Sequence, residues 1–277
     1  MIGHNLIHPT ADLLERVAHI ALMAGEAILN IYNQDFEVSL KEDLSPLTIA
    51  DKKAHEVITA ELQKLDMNID IISEEGTTEI VTNAEVNKYW LVDPLDGTKE
   101  FIKRNGEFSV NISLIESNQP VLGVIYAPVL GLLYKASSRL GAYKHDIVNN
   151  SCRQIHVNNK IDQFKIVGSR SHGNDFKDAF ISKIDAIELI SIGSSLKFCM
   201  VAEGGADIYP RFGPTSHWDT AAAQCILEEA GGSVRDLDGH KLIYPYTQNK
   251  LNPFFVASGI SNCVDLTQPL KLIKPLL

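Results

Sequence analysis

Residues 90–98 read Trp90-Leu-Val-Asp-Pro-Leu-Asp-Gly-Thr98 and place two carboxylates directly after a short run typical of a buried strand. We expect Asp93 and Asp96 to leave the strand end close together, because Pro94 fixes the backbone between them. Gly97 then permits a sharp turn. A simple turn needs proline and glycine but no second acid, so the motif indicates a metal site.

Other oxygen atoms of this motif point to the kind of metal. We expect the turn to aim the Leu95 carbonyl and the Thr98 hydroxyl toward the two carboxylates. A ligand set without cysteine or histidine suits a hard cation, and such oxygens favour magnesium, calcium or manganese over zinc or copper. We therefore expect magnesium.

Three further acids are candidates for the same site. Glu74 follows a second strand-like run at residues 69–73, and Asp51 and Asp219 lie near the starts of helix-like stretches. Two divalent ions about 3.5 to 4 Å apart can clamp a phosphoryl group, one activating a water and the other stabilising the leaving oxygen. Together the acids predict hydrolysis of a phosphate monoester.

Each of these three acids also has a structural interpretation. Asp51 and Thr48 have the spacing of a helix-capping pair. Asp219 suits the first turn of a helix, where the helix dipole favours an acid, and Glu74 suits a solvated loop. Sequence proximity alone links only Asp93 and Asp96.

The segment Gly193-Ser-Ser-Leu-Lys197 is a candidate anion site. It precedes a helical stretch, where free backbone N–H groups and the Lys197 ammonium would hold an anion. The alternative is that Ser194 or Ser195 only caps the helix and Lys197 points to water. Further candidate cations, each with the alternative of a surface position, are Arg170, His172 and Arg211.

Hydrophobic periodicity predicts the elements of the first half. Apolar residues spaced alternately by three and four predict a helix over residues 10–32, and a second helix covers residues 48–65. Residues 33–47 between them are expected to be irregular. Short β-like runs at residues 69–73 and 89–93 are predicted strands.

The middle of the chain predicts an antiparallel meander. Residues 108–114 alternate apolar and polar side chains, the period of a half-buried strand, and strand-like runs at residues 121–126 and 132–136 follow at hairpin spacing. After a polar stretch at residues 145–163, strands and helices alternate. The predicted strands are residues 164–168, 187–190, 206–209 and 254–257, and the predicted helices are residues 195–203 and 218–230.

A domain boundary is expected in the polar stretch. Residues 1–150 would form an N-terminal α+β domain with the antiparallel sheet and most metal ligands. Residues 151–277 would form a C-terminal α/β domain that completes the site.

Composition narrows the class of protein. The 277 residues are 45% hydrophobic and 22% charged, close to average globular usage. A net charge of −10 and a pI near 5.4 argue against general binding to nucleic acid. No signal peptide, long apolar span or Cys-x-x-Cys pair is present, so we expect a cytoplasmic protein with reduced cysteines. Peripheral attachment to the inner membrane is left open. The cysteines are Cys152, Cys199, Cys225 and Cys263.

Several motifs occur in the order and spacing of a known superfamily. The stretches similar to inositol monophosphatase superfamily signatures are residues 90–98, Ser73-Glu-Glu75 and Trp218-Asp-Thr-Ala-Ala222. The stretches that resemble, more narrowly, the bacterial 3'(2'),5'-bisphosphate nucleotidases of the CysQ type are residues 99–108, 191–199 and 209–214. The match extends from the first helix to the last strand, and the combined motifs are highly specific.

The resemblance implies a fold and an activity. The implied fold is a layered α/β/α/β/α sandwich, of class α+β or α/β. The implied activity is magnesium-dependent hydrolysis of adenosine 3',5'-bisphosphate to AMP and phosphate in sulfate assimilation. A second candidate substrate is 3'-phosphoadenylyl sulfate, and sensitivity to lithium is implied as well.

The resemblance also implies metal ligands. It places Asp93 on both of two magnesium ions. Glu74 and the Leu95 carbonyl would complete the first ion's ligands, and Asp96 and Asp219 those of the second. The implied ligands are Glu74, Asp93, Leu95, Asp96 and Asp219.

A catalytic pair and substrate contacts follow from the same resemblance. Asp51 and Thr98 would orient and deprotonate the attacking water, and a third, weaker magnesium is implied near Asp51 and Glu74. Backbone N–H groups of Gly97 and Thr98 would contact the scissile phosphate. The implied substrate-binding residues are Glu74, Leu95, Asp96, Gly97, Thr98, Ser194, Lys197, Arg211 and Asp219.

The sequence leaves two alternative functions. A phosphatase for inositol phosphates or sugar bisphosphates would share the metal core, but residues 99–108 speak against it. A non-catalytic nucleotide or metal sensor would leave Asp51 and Thr98 without a purpose. The oligomeric state is open between monomer and homodimer, and the tail after Ser258 is expected to pack on the domain or on another subunit.

Overall fold

The computed structural model describes most of the chain, namely residues 9–35, 38–40, 46–66, 68–76, 86–158, 164–169 and 187–259. Arg170, His172, Cys263 and the leucine-rich tail lie outside these residues. The three cysteines that the structure describes carry free thiols. No described helix is long and apolar enough to cross a membrane.

Two long helices precede the seven-stranded sheet, as predicted. α1 spans Ala11–Tyr32 and begins after Thr10, whose side chain caps the first turn. α2 spans Ile49–Leu65 and begins with a capping box in which the Asp51 carboxylate accepts a hydrogen bond from the Thr48 amide. The capping interpretation of Asp51 is therefore confirmed.

The expectation of an irregular segment at residues 33–47 is wrong in part. Within the described residues, β1 (Val38–Leu40) and β2 (Pro46–Thr48) pair as an antiparallel two-stranded sheet. Strands of three residues are too short to show an alternating pattern, so periodicity could not reveal them.

A seven-stranded sheet forms the centre of the first half, in the order β3-β4-β5-β6-β7-β8-β9. β3 pairs parallel with β4, and the other neighbours are antiparallel, so the predicted meander is confirmed. β8 and β9 extend the sheet into the polar stretch. The edge strand β9 is mostly exposed, which explains its polar composition. The strands are β3 Asp70–Ser73, β4 Lys88–Asp96, β5 Ser109–Glu116, β6 Gln119–Ala127, β7 Leu132–Ser137, β8 Gly141–Asp146 and β9 Ser151–Ile155.

A five-stranded sheet forms from the second half, in the order β11-β10-β12-β14-β13. β10 is parallel to β11 and β12, whereas β14 is antiparallel to β12 and β13. The strands are β10 Phe164–Ser169, β11 Ile187–Ile192, β12 Ile208–Arg211, β13 Ser233–Asp236 and β14 Phe255–Ser258.

Short helices complete the described elements: α3 Thr98–Ile102, α4 Leu196–Ala202, a 3-10 helix His217–Asp219 and α5 Ala221–Glu229. The helix predicted at residues 195–203 is confirmed as α4. The single helix predicted at residues 218–230 is wrong, because the backbone at Thr220 leaves helical geometry and separates the 3-10 helix from α5.

β5 is buried on both faces, so the prediction of a half-buried strand is wrong. Its polar residues Ser109, Asn111 and Ser113 are almost fully buried, because α5 packs against this sheet. Each finds a partner within the protein; the Ser113 hydroxyl, for example, donates to the Leu122 carbonyl at 2.9 Å. Alternation separates two faces but does not reveal whether the polar face meets water or a second layer.

The described elements stack in layers. α1 and α2 cover one face of the seven-stranded sheet and share an apolar core with it. A second core joins the other face to α4, α5 and the five-stranded sheet. The order helix, sheet, helix, sheet confirms the predicted class of layered sandwich, while the division into domains 1–150 and 151–277 stays a prediction.

Candidate active site

The acidic motif lies on β4 itself rather than beyond its end. Asp93 pairs with Asn111, Asp96 pairs with Ser109, and the register shifts between them, which marks a bulge in the strand. The Leu95 amide donates to Asp93 Oδ1 at 3.0 Å inside this bulge. The bulge brings both carboxylates to the same region, whereas the sequence predicted that they would follow the end of the strand.

Gly97 turns the chain from β4 into α3. Its φ of +94° lies in the left-handed region that favours glycine, as the sequence predicted. Its carbonyl accepts hydrogen bonds from the Glu100 and Phe101 amides, both at 2.9 Å. Thr98 thereby becomes the first residue of α3, directly beside the acids.

Asp219 reaches the acids of β4 from the second half of the chain. One carboxylate oxygen each from Asp93, Asp96 and Asp219 lies within 4.8 Å of the others. Burial raises the pKa of Asp93 far above its usual range, and the charges of Glu74, Asp96 and Asp219 raise it further. Burial and the Asp96 charge likewise raise the pKa of Asp219. Of the three residues Asp93 is buried, and Asp96 and Asp219 are partly buried. Clustered carboxylates of this kind fit a hard divalent cation, which would offset their repulsion.

Glu74 joins the same cluster from β3. Its amide donates to the Val92 carbonyl at 3.1 Å, which ties it to the parallel strand β4. Its carboxylate is close enough to raise the pKa of Asp93. Both β3 and β4 therefore deliver acids to one place, as expected for the same ends of parallel neighbours.

The 3-10 helix fixes Asp219. The Ser216 amide donates to Asp219 Oδ2 at 2.8 Å, and the Ser216 carbonyl accepts a hydrogen bond from Asn252 Nδ2 at 2.6 Å. The segment that follows β13 therefore stabilises Ser216, the residue whose amide holds the Asp219 carboxylate. The expected position in the first turn of a long helix is replaced by this capped 3-10 turn.

Asp51 serves two purposes with its two oxygens. Oδ2 accepts hydrogen bonds from the Thr48 amide at 2.8 Å and the Thr48 hydroxyl at 2.6 Å, whereas Oδ1 lies 3.2 Å from Thr98 Oγ1. Burial raises the pKa of Asp51, although the Thr48 hydrogen bonds oppose this effect. The structural and catalytic interpretations of Asp51 are thus compatible.

The N–H groups expected to hold an anion at the start of α4 are engaged with protein carboxylates. The Gly193 amide donates to Glu107 Oε2 at 2.9 Å, and the Ser195 amide donates to Asp96 Oδ2 at 2.5 Å. The expectation of free N–H groups is therefore wrong at these positions. Its physical reason is tertiary, since both acceptors come from residues distant in sequence.

Lys197 is buried and does not point to water. Its ammonium lies 5.4 Å from the centre of the Tyr209 ring and donates to the Ser194 carbonyl. Burial lowers the pKa of Lys197 to about 8, although Asp96 opposes this change. Arg211 donates from Nη2 to the Pro214 carbonyl at 2.8 Å, while its buried Nε has no hydrogen-bond partner among the residues that the structure describes.

One cleft of about 280 Å³ gathers these side chains. Every predicted site residue except Asp51 lines it, and Asp51 lies behind Thr98. The lining residues that were not among the predicted site residues include Glu100, Ser195, Tyr209 and Thr215. The sequence signal for Ser195 is the serine pair Ser194-Ser195, which is compatible with an anion site and with a helix cap.

The chain belongs to the inositol monophosphatase family, whose profile matches residues 12–258. The 3'(2'),5'-bisphosphate nucleotidase CysQ of Salmonella typhimurium is 46% identical over 245 residues, which cover 88% of this chain and 98% of that protein. The protein of the same name from Escherichia coli strain K12 is 43% identical over 248 residues, which cover 89% and 99%.

A solved structure extends the comparison to the fold. CysQ from Bacteroides thetaiotaomicron, a bacterial member of the inositol monophosphatase family, superposes with a TM-score of 0.80 at 40% identity, covering 91% of this chain and 98% of that chain. The predicted family and fold are therefore confirmed.

Proposed function

We propose that this protein is a magnesium-dependent 3'(2'),5'-bisphosphate nucleotidase. It would remove the 3'-phosphate of adenosine 3',5'-bisphosphate to give AMP and phosphate, and 3'-phosphoadenylyl sulfate is the second candidate substrate. The observation that carries the proposal is that one cleft holds both the acidic cluster and the cations Lys197 and Arg211. Such a cleft fits a small molecule with two anionic groups, and the names of the relatives support this substrate class.

The acidic end would hold the cofactor. Asp93 would serve two magnesium ions, one with Glu74 and the Leu95 carbonyl and the other with Asp96 and Asp219, and a third would lie near Asp51 and Glu74. When bound, the ions supply positive charge that stabilises the transferred phosphoryl group and makes a water molecule more acidic.

Thr98 and Asp51 would handle the attacking water. With its own proton directed to Asp51 Oδ1, the Thr98 hydroxyl has a lone pair available to accept a hydrogen bond from water. Because burial raises the pKa of Asp51, its carboxylate is a stronger base than an exposed aspartate. Gly97 and Thr98 would contact the scissile phosphate through their backbone N–H groups.

The basic side of the cleft would bind the remainder of the nucleotide. Lys197 is positively charged below about pH 8, and the unpartnered Nε of Arg211 can donate to a phosphate oxygen. Ser194, whose hydroxyl lies 3.3 Å from that of Ser109, would add a contact. These side chains would distinguish a bisphosphate from a monophosphate.

A competition among substrates tests the proposal. Phosphate release with magnesium would be compared for adenosine 3',5'-bisphosphate, inositol 1-phosphate and fructose 1,6-bisphosphate, each with and without lithium. We expect preference for the nucleotide, inhibition by lithium, and a larger rise in KM than fall in kcat in Lys197→Ala. Preference for inositol or sugar phosphate would keep the metal chemistry and overturn the substrate, whereas nucleotide binding without turnover would favour a sensor.

The proposed cellular setting is the cytoplasm. A cytoplasmic enzyme acting on small molecules, as a monomer or a homodimer, agrees with the acidic composition and with the lack of a described helix that could cross a membrane. Nucleic acid is not proposed as a partner.

A further inference from the structure

A buried chain of polar side chains leads from β5 to the acidic cluster. The Ser109 hydroxyl lies 3.0 Å from Asn111 Oδ1, and Asn111 Nδ2 donates to the Ser195 hydroxyl at 2.9 Å. All three residues are almost completely buried. Burying polar side chains costs free energy unless each has a hydrogen-bond partner. We therefore expect these hydrogen-bonded side chains to have a role beyond packing.

Ser195 touches two of the acidic elements at once. Its amide lies 2.5 Å from Asp96 Oδ2, and its hydroxyl lies 2.7 Å from the same oxygen. The hydroxyl also lies 2.8 Å from the Asp219 carbonyl. Because Asn111 occupies a lone pair of the hydroxyl, the single hydroxyl proton is left for these acceptors.

These Ser195 contacts leave the second oxygen of Asp96 available. The Ser195 amide donates to Oδ2, and the hydroxyl donates to it as well when its proton points there, so the orientation of the carboxylate is fixed and Oδ1 is left for a cation. The Asp219 carbonyl contact sets the distance between the chain segments that carry Asp96 and Asp219. Hydrogen bonds of this kind orient ligands and are worth about 10 to 100-fold in metal affinity.

We propose that Ser195, held by Asn111, is a positioning residue that fixes Asp96 against Asp219 for binding a divalent cation. This inference rests on the metal site of the proposed function. It assigns Ser195 no contact with the reacting phosphate, which separates it from Ser194 and Lys197 on the same segment.

Direct titration of the metal-free protein with manganese tests the inference. Electron paramagnetic resonance reports free manganese, so binding is measured without substrate and does not depend on which ester the enzyme cleaves. We expect Ser195→Ala to weaken manganese binding about tenfold or more. Ser195→Thr, which keeps the hydroxyl, should restore most of the affinity.

A matched control separates positioning from a general loss of structure. Ser113 lies on the same face of β5 as Asn111 and is about as buried as Ser195. Its hydroxyl donates one hydrogen bond, to the Leu122 carbonyl. Ser113→Ala therefore removes a comparable interaction away from the acids and should leave manganese affinity unchanged. If Ser195→Ala does not fold, Ser195→Cys decides, since it keeps the volume but has a weak donor. Wild-type affinity in Ser195→Ala or Ser195→Cys, or an equal loss in Ser113→Ala, would overturn the proposal.

Discussion

The Thr98 hydroxyl lies 3.2 Å from Oδ1 of Asp51, whose other oxygen is fully engaged in capping α2. The helix cap therefore holds the carboxylate in place while leaving one oxygen for Thr98. A residue that looks structural from its sequence spacing is thus fixed in a position suited to proton transfer.

Removal of either partner should affect turnover more than stability. We expect Thr98→Ala and Asp51→Asn each to lower kcat by about 10² to 10⁴-fold, the usual contribution of a general base. Thr98→Ser should retain most activity because it keeps the hydroxyl. Steady-state kinetics at saturating magnesium measure the effect, with thermal denaturation as a control for folding. A Thr98→Ala enzyme with wild-type kcat would exclude this pair.

Lys197 should control the alkaline limb of the pH profile. Above its pKa of about 8 the side chain loses its positive charge, so kcat/KM for a bisphosphate should fall as pH rises through that value. Substrate phosphates are already fully ionised there, since their second pKa is about 6. Lys197→Met should lower kcat/KM and abolish the limb. A variant that keeps the same limb would assign it to another group.

The acidic cluster should make the metal-free protein less stable as pH rises. The folded-state pKa of Asp93 is raised above its ordinary value of 3.8. Between pH 3.8 and the raised pKa, Asp93 is protonated in the folded state but ionised in the unfolded state. The contribution of Asp93 to the free energy of unfolding is therefore full below pH 3.8 and is lost as pH rises through the raised pKa. Asp219 acts in the same direction.

Urea denaturation in a chelator, repeated across this pH range, measures that loss. Asp93→Asn should flatten the pH dependence and stabilise the metal-free protein, because it removes one of the repelling charges. It should also reduce the stabilisation produced by magnesium and cut turnover by orders of magnitude. A metal-free wild type whose stability increases with pH would contradict the electrostatic account.

Gly97→Ala tests the turn into α3. Glycine tolerates the φ of +94°, whereas an alanine Cβ would also lie 3.2 Å from the Glu107 carbonyl. We expect a loss of about 1 to 2 kcal/mol in the free energy of unfolding, together with a fall in kcat as Thr98 shifts. Gly239→Ala is the matched control, since its φ is +86° and no atom of the described residues lies within 4 Å of the added carbon. Equal activity losses in both variants would contradict a specific role of the Gly97 turn in catalysis.

Local sequence was sufficient where the determining interactions are local. The two aspartates around Pro94 and the glycine that follows predicted an acidic site on one strand end, and Thr48 with Asp51 predicted a cap. The sequence resemblance also identified the family and the layered fold.

Tertiary contacts explain what the sequence did not reveal. The alternation of apolar and polar residues in β5 predicted that its polar face meets water. Only the assembled layers show that Asn111 on this face contacts Ser195. The serine pair before α4 likewise looked like a cap or an anion site, yet the acceptor of the Ser195 amide is Asp96 from β4. No pattern within either segment contains information about the other.

Phosphorus NMR of adenosine 3',5'-bisphosphate incubated with the protein, in magnesium or in a chelator, tests the central claim most directly. Loss of the 3'-phosphate signal, growth of inorganic phosphate and retention of the 5'-phosphate, all only with magnesium, are predicted. Release of the 5'-phosphate instead, no reaction with magnesium, or an equal rate in the chelator would contradict the account.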